Sequence, residues 1–564
     1  MKKIYFSIVI LSFMAFAAVG CGEFVEPGKD NVLTREDVIA NPVLAEGILL
    51  KAYDNLPTTL NYTAVAVDDA HSNNISNGYM LAATGAWRST NDPFSQWRNY
   101  TQIAYINYFL ERIVDDVTWS YSSEWRAEHF PNRLKGEAYA LRAYHHSLIL
   151  QAHAGKASSG ELLGIPYMDR FVSSEQEQAT VRRLPFAECV AKIEKDIERA
   201  LQLLPDRYEN APAGTADKED YDAVYGVRNT NRISGLAMKM LRARVRLLAA
   251  SPAFNPTSDP ALWEKAADAA AEVIDAFGGL ENLAPDRVEF YLDKGNRDIL
   301  WREDYTNSNN IEKAQFPPSL NGSGRVSPSQ NFVDAFPMKS GWPIDSGDSG
   351  YDERNPYANR DPRLAKYVIY NGMTFKGMTI NTVDHPSDGI NRTEYSTCTG
   401  YYLKKFANEA VSLETGNVVS AIHFNTLMRF TEAFLIYAEA ANEAWGPDAS
   451  GSHAYSARDV MARLRETAGI DQPDTYLASI STPEEMRKLI RNERRLELCF
   501  EQIRFWDVRR WLDYDAMNAT VRGTFDGGLT SVDVKERSFE RYMIYGPIPN
   551  DDVVKGLIQN EGWI

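Results

Sequence analysis

The sequence predicts a predominantly helical scaffold of stacked helix pairs, broken by two long loop-rich segments. Three observations carry that prediction. Apolar residues recur at helical spacing along much of the chain. Neighbouring helical stretches fall into pairs with weak self-similarity of the tetratricopeptide kind: "EAYALRAYHHSLILQAHAG" and "EAFLIYAEAANEAWG" both start Glu-Ala-aromatic and end in Gly. Residues 60–94 and 278–420 abandon the helical pattern for Gly, Pro, Asn, Ser and aromatic residues. A helix pair cannot bury its apolar face alone, so stacking such pairs builds a continuous scaffold.

The elements follow in order. "NPVLAEGILLKAYDNL" (41–56) has helical apolar spacing, and "SQWRNYTQIAYINYFLERIVDD" (95–116) repeats it with Trp97, Ile103, Ile106, Leu110 and Ile113. "RLKGEAYALRAYHHSLILQAHAG" (133–155) ends in Gly155, read as a C-cap. Further helices are predicted over 184–205, 232–252, 260–277, 425–446 and 456–470, and a last one in "NERRLELCFEQIRFWDVRRW" (492–511). The 278–420 segment holds strand-like runs such as "LAKYVIYNGMTF" and "GYYLKKFAN". Loops this long inside a folded chain are usually functional.

The N-terminus reads as an export signal. Lys2 and Lys3 precede an apolar run from Ile4 to Val19, too short to favour a spanning helix. Ala18-Val19-Gly20-Cys21 resembles a bacterial lipobox, with Ala18 where Leu is usual. The expectation is a signal peptide over 1–20, lipidation of Cys21 and a polar tether over 22–33. Acyl chains on Cys21 would anchor the protein to a membrane surface.

The 564 residues carry a net charge of −17 and no basic run, which argues against nucleic-acid binding. Cys189, Cys398 and Cys499 share no metal-like spacing and read as small hydrophobes. The eight histidines do not cluster at ligand spacing, and adjacent His145 and His146 point about 100° apart on a helix.

These pieces, in this order, resemble the SusD/RagB family of surface glycan-binding lipoproteins. The resemblance rests on the lipobox at Cys21, "EAYALRAYHHSLILQAHAG" followed by "GIPYM" (164–168), and "RLPFAECVAKIEKDIERALQLLP", with Ile197 where Leu is usual. It continues through "ALWEKAADAAAEVI", "NPYANRDPRL" (355–364), "MRFTEAFLIYAEAANEAWG", the 492–511 stretch and "YGPIPNDDVVKGLIQNEGW" (545–563). Gln502 departs from the family, which commonly has Gly after the third Glu; this places a helix boundary in question. The resemblance implies an all-α, tetratricopeptide-like helix-pair superhelix with long inserted loops and minor short strands. One domain would span 21–564, with scaffold over about 34–277 and 421–513, ligand-face loops over about 60–94 and 278–420, and a C-terminal segment over 514–564. It also implies a SusC-like TonB-dependent transporter as partner, an outer-membrane surface location, no catalysis and no cofactor.

Two chemical readings compete for the charged residues. A glycosidase needs two carboxylates at fixed separation, one with a raised pKa. Glu432, Glu439, Glu443, Glu493, Glu497 and Glu501 supply carboxylates, but Glu501–Arg504 and Glu497–Arg494 are three apart, a spacing for helical ion pairs. A neighbouring guanidinium lowers a carboxyl pKa, the wrong direction for a general acid. A structural seam is therefore expected, with Leu496, Cys499, Phe500 and Ile503 as its apolar face. In "NPYANRDPRL", Arg360 and Asp361 are expected to pair.

A glycan binder needs exposed aromatic rings and planar polar groups. The first loop offers Asp68, Asp69, His71, Asn73, Asn74, Tyr79, Trp87 and Arg88; the second offers Trp301, Tyr305, Asn307, Asn309, Phe316 and Trp342. Trp87 is the preferred platform, being set among small and polar residues, and Trp97 is read as packing. The alternative to an oligo- or polysaccharide is a peptide or protein-derived ligand.

Overall fold

The computed structural model describes residues 34–58, 62–119 and 123–563. The signal segment, Cys21 and the tether lie outside the described residues.

Among the described residues, ten principal helices build the scaffold. They are α1 (Pro42–Leu50), α2 (Asn99–Arg112), α3 (Glu124–His153), α4 (Phe186–Leu201), α5 (Gly235–Ala250), α6 (Pro260–Phe277), α7 (Phe430–Trp445), α8 (Ala457–Ala468), α9 (Pro483–Glu497) and α10 (Arg504–Arg510). Their ends follow cap chemistry. Asp259 accepts from the Ala261 N–H, Pro260 fills the first position of α6, and Gly278 closes it at φ 101°. Thr482 and Glu485 form a capping box at the start of α9.

Successive helices pack on one another: α2 on α3, α3 on α4, α4 on α5, α5 on α6. The stack then skips the insertion, because α6 packs directly on α7. Phe277 stacks on Phe430, with ring centroids 4.4 Å apart, at that junction.

The insertion is stapled at its base. Strand β2 (Ile299–Ser308) pairs antiparallel with β4 (Ala421–Arg429), running from Ile299↔Arg429 to Ser308↔Ala421. Asp298 fixes the return into α7: its carboxylate accepts from the Thr431 N–H at 2.8 Å and pairs with Arg429 at 2.8 Å. A shorter pair, β1 (Ala70–Ser72) with β3 (Val326–Pro328), ties the 60–94 segment to the insertion. Among the described residues no helix is long and apolar enough to cross a membrane.

The 60–94 and 278–420 segments are not bare loops. Short helices and paired strands surround a second hydrophobic core that includes Phe316, Phe332, Tyr367, Tyr401 and Tyr402. Of the aromatic residues that suggest a binding surface in the sequence, Phe316 belongs to this core, and Trp87 and Trp301 belong to the first. Phe316, for one, is fully buried.

Several boundaries differ from the sequence expectation for identifiable reasons. Helix α3 begins at Glu124, because the Ser123 side chain accepts from the Arg126 N–H, and it carries Pro131 inside. Gly155 is not a left-handed cap: the helix ends at extended Ala154, and a Cβ on Gly155 would meet Tyr545 at 2.4 Å. Residues 425–429 finish strand β4 rather than start a helix. The 492–511 stretch is two helices, α9 and α10, separated by a turn in which Phe500 has φ 59° and Gln502 has φ 65°. That left-handed backbone costs glycine nothing, so a glycine would suit position 502 better than glutamine.

Candidate functional site

Two of the three glutamates of the 492–511 stretch are sealed inside the protein, and Glu501 is half-buried. Glu493 and Glu497 are fully buried. Their partners are not the helical neighbours that the spacing suggests. Glu497 meets Arg363 at 3.0 Å, Arg287 at 3.4 Å and Arg429 at 3.4 Å. Glu501 meets Lys405 and Arg429, both at 2.8 Å. Arg494 turns to Asp507 at 2.7 Å instead of Glu497, and Arg504 turns to Asp68 at 3.6 Å instead of Glu501. Burial alone would raise the Glu497 carboxyl, but Arg287, Arg429, Arg363 and Lys405 outweigh it and hold it far below the usual carboxylate range. A carboxylate held in that form is no general acid. Arg360 does not pair with Asp361 either: it donates to the Val333 and Phe336 carbonyls at 2.6 Å, and Asp361 pairs with Arg363 at 2.7 Å.

Stretch 492–511 thus joins three parts. Glu493 and Glu497 reach the insertion, Arg494 reaches the scaffold, and Arg495 reaches the 60–94 segment. Leu496, Cys499 and Phe500 sit in the second core, whereas Ile503 packs against the first.

The first-loop residues take up separate positions. Asp68 and Asp69 are buried on Arg495, with Arg495–Asp69 at 2.6 Å and Arg495–Asp68 at 2.9 Å. Burial raises both carboxyls; Arg495 and Arg504 bring Asp68 below its usual value, while Asp69, facing the Asp68 charge as well, stays above it. Neither can hold a ligand hydroxyl from there. His71 lies on β1, where burial first, then Arg537 and Lys535, push its imidazole down to about 4. Asn73 donates to the Ser323, Gly324 and Ser396 carbonyls at 2.9–3.2 Å. Asn74 is exposed and caps a turn through the Ser76 N–H. Tyr79 is half-buried on Phe94. Arg88 is exposed and donates to the Trp87 carbonyl.

Trp87 is the clearest correction. It is 1% exposed, and its Nε1 donates to Asp92 at 2.8 Å. Phe94, Trp563 and Phe539 surround its ring at centroid distances of 4.8, 4.9 and 6.1 Å. No face remains for a sugar. Trp301 is likewise core, 2% exposed, donating to the Asn231 carbonyl and packed on Tyr144. Small and polar residues around Trp87 in sequence say nothing about the C-terminal aromatics that cover it.

The accessible aromatic residues of the insertion include three patches made by candidate residues or lying on the seam with the first loop. In the first, Tyr395 is 39% exposed and the Arg325 guanidinium lies 5.2 Å from its ring. Arg325 also donates to Asn73 Oδ1 at 3.3 Å, so this patch sits on the seam between the two predicted zones. In the second, Tyr305 is 44% exposed and pairs across the ribbon with Phe424. Lys294 Nζ lies 3.6 Å from the Tyr305 ring and Arg302 lies 5.6 Å from the Phe424 ring. Asn307 is exposed on the same strand face, whereas Asn309 is buried. In the third, half-buried Trp342 packs on Tyr476 at 5.2 Å and donates to Thr475 Oγ1 at 3.0 Å. Each pairs a ring face with cationic or hydroxyl groups, the elements that hold a polyhydroxylated ring.

Arg325, Tyr395, Phe424 and Tyr476 escape sequence reading. Only the strand register puts Phe424 opposite Tyr305, and only the fold brings residue 476 to residue 342. Among the described residues no three His, Cys, Asp or Glu side chains converge to hold a metal ion, and Cys189, Cys398 and Cys499 are free thiols.

Comparison with known proteins agrees with this architecture. The model described as SusD family matches residues 289–563, and the SusD-like model described as starch-binding associating with outer membrane matches residues 24–227. No curated protein matches the chain. Among solved structures, a SusD-like protein from Bacteroides fragilis NCTC 9343 is 21% identical, with 93% of this chain and 98% of that one covered at a TM-score of 0.71. A SusD-like carbohydrate binding protein from the same organism is 20% identical, covering 91% and 98% at 0.69. The surface glycan-binding protein A from Bacteroides fluxus is 17% identical, covering 93% and 100% at 0.59. With one model taking the N-terminal scaffold, another the insertion and signature helices, and the helical stack shared from end to end, the chain belongs to the SusD/RagB family.

Proposed function

We propose that this protein is a non-catalytic, cell-surface carbohydrate-binding lipoprotein. It captures an oligo- or polysaccharide and passes it to a SusC-like TonB-dependent transporter in the outer membrane. The observation that carries the binding part is the Tyr395–Arg325 patch, an exposed ring beside a guanidinium that Asn73 orients on the seam of the two segments. Tyr305 and Trp342 supply further ring faces along the insertion, as suits a ligand with several sugar units. The described family model, starch-binding associating with outer membrane, supports both the ligand class and the location. Cys21 supplies the anchor, with its acyl chains in the outer leaflet. The non-catalytic reading is supported by the ion-paired state of the signature glutamates.

Affinity electrophoresis through gels of different polysaccharides tests the ligand class. Retardation by at least one polysaccharide is expected, and none across a broad panel, with peptide binding instead, overturns the reading. Co-purification of a β-barrel transporter with the tagged, membrane-anchored protein tests delivery.

A further inference from the structure

A cavity of about 190 Å³ lies where the scaffold, the insertion and the 492–511 stretch meet. Tyr144, Ser147 and Gln151 of α3 line one side, Asn425 and Thr426 of β4 another, and Arg494 and Trp506 a third. Exposed Arg98 in the lining marks where it reaches solvent. Three lining side chains carry a buried polar atom that no protein group satisfies: Thr63 Oγ1, Thr426 Oγ1 and Arg494 Nη1. Thr63 is 5% exposed and Arg494 4%. Unsatisfied buried groups cost on the order of 1–3 kcal/mol each, so three around one space point to a polar occupant.

The charges in the wall select its class. Glu432 pairs with Arg244 (Nε at 3.0 Å), and Arg494 with Asp507 at 2.7 Å. Arg510 pairs with Glu439 at 2.6 Å. The buried ionic groups of the wall each already face a counter-charge, and Arg98 stands at the exposed mouth, so the interior favours neither an anion nor a cation. Beside the Arg494 Nη1 donor, what stays available is neutral: hydroxyls of Thr63 and Thr426, the amide of Gln151, the Asn425 Oδ1 acceptor (its amide nitrogen already serves Pro57 and Glu303), and the rings of Tyr144 and Trp506. Amides and hydroxyls both donate and accept, as a sugar hydroxyl requires of its partners. The volume corresponds to roughly six waters at ~30 Å³ each, or to a single pyranose unit.

We propose that this chamber is a second, internal carbohydrate site, for one neutral hexose-sized unit. It is separate from the Tyr395 surface patch, and it rests on the carbohydrate reading above. A sugar there would bridge scaffold and insertion.

Titration calorimetry with a panel of neutral mono- and disaccharides tests it on the wild type and three variants. Ser147→Phe fills the chamber, Thr63→Val removes one unsatisfied hydroxyl at nearly constant shape, and Tyr395→Ala changes only the surface patch. Expected is saturable binding of at least one sugar, weakened about tenfold or more by Ser147→Phe, about threefold by Thr63→Val and unchanged by Tyr395→Ala. Thr63→Val keeps the test valid if Ser147→Phe fails to fold. If no small sugar binds while wild type still runs slowly in a polysaccharide gel, the chamber proposal falls and the surface reading stands. If binding survives Ser147→Phe but is lost with Tyr395→Ala, the chamber proposal also falls. If neither small sugars nor polysaccharides bind, both fall.

Discussion

Arg363 Nη1 lies 3.0 Å from Glu497 Oε2, joining side chains 134 positions apart, and both are fully buried. The same guanidinium holds Asp361 at 2.7 Å and also reaches Glu493. Together with Arg287 and Lys405, Arg363 locks the insertion onto the signature helix, and it is the one of the three that also holds Asp361. Arg363→Met is predicted to leave buried carboxylates uncompensated and to destabilise the protein by about 3–5 kcal/mol. Chemical denaturation of wild type and variant measures it, and a loss under about 1 kcal/mol would contradict the locking role.

Trp87→Ala is predicted to cost about 3–5 kcal/mol of stability, because it empties a ring-filled site beneath Trp563 and Phe94. Polysaccharide retardation of the folded fraction is predicted to stay at the wild-type level. A stable Trp87→Ala protein that has lost glycan binding would restore the platform role.

Tyr395→Ala should behave in the opposite way. Its ring is 39% exposed, so the thermal midpoint should move by no more than a degree or two, while glycan affinity falls about tenfold. Arg325→Ala should weaken binding in the same direction. The pair is read by affinity electrophoresis beside a melting curve. Unchanged mobility shift in both variants would move the site to Tyr305 or Trp342.

Acid should destabilise the fold in two stages. Burial lowers His145 to about 4 and His153 to about 3, and each is satisfied neutral by a carbonyl, of Ala52 and Pro547 respectively. In the unfolded chain they titrate near 6.5, so below that value the unfolded state binds more protons and stability falls with pH. The loss reaches on the order of 2 kcal/mol per histidine by about pH 5. Glu497, depressed by its arginines, contributes stability above its unfolded value of 4.5 and loses it at lower pH. Urea midpoints at about pH 7, 6 and 5 check the first stage. A flat profile across them would mean these rings protonate without unfolding anything.

Gly155→Ala is predicted to destabilise by about 1–3 kcal/mol, since the added Cβ would lie 2.4 Å from Tyr545. A neutral substitution would mean that Tyr545 gives way to the added methyl. Thermal melts distinguish the two.

The helices were legible because their signals are local. Apolar spacing, Pro260 after Asp259, Gly278 after Phe277 and the Thr482–Glu485 box all act within one or two turns. The break inside 492–511 was half-legible, through the glutamine at position 502. The ligand face was mostly illegible, and Trp87 shows why. Its immediate sequence neighbours are small and polar, yet apart from Phe94 the rings that bury it come from positions 505, 539 and 563.

The sequence alone determined the helical scaffold, the placement of its interruptions and the ion-paired character of the signature glutamates, because periodicity, capping and charge type belong to short stretches of chain. Which arginine meets which glutamate, and which rings keep an open face, only the tertiary structure decided. Asp68 finds Arg495 across 427 positions, and Tyr305 finds Phe424 through the register of a ribbon. Burial is a property of what folds over a residue, and that comes from elsewhere in the chain.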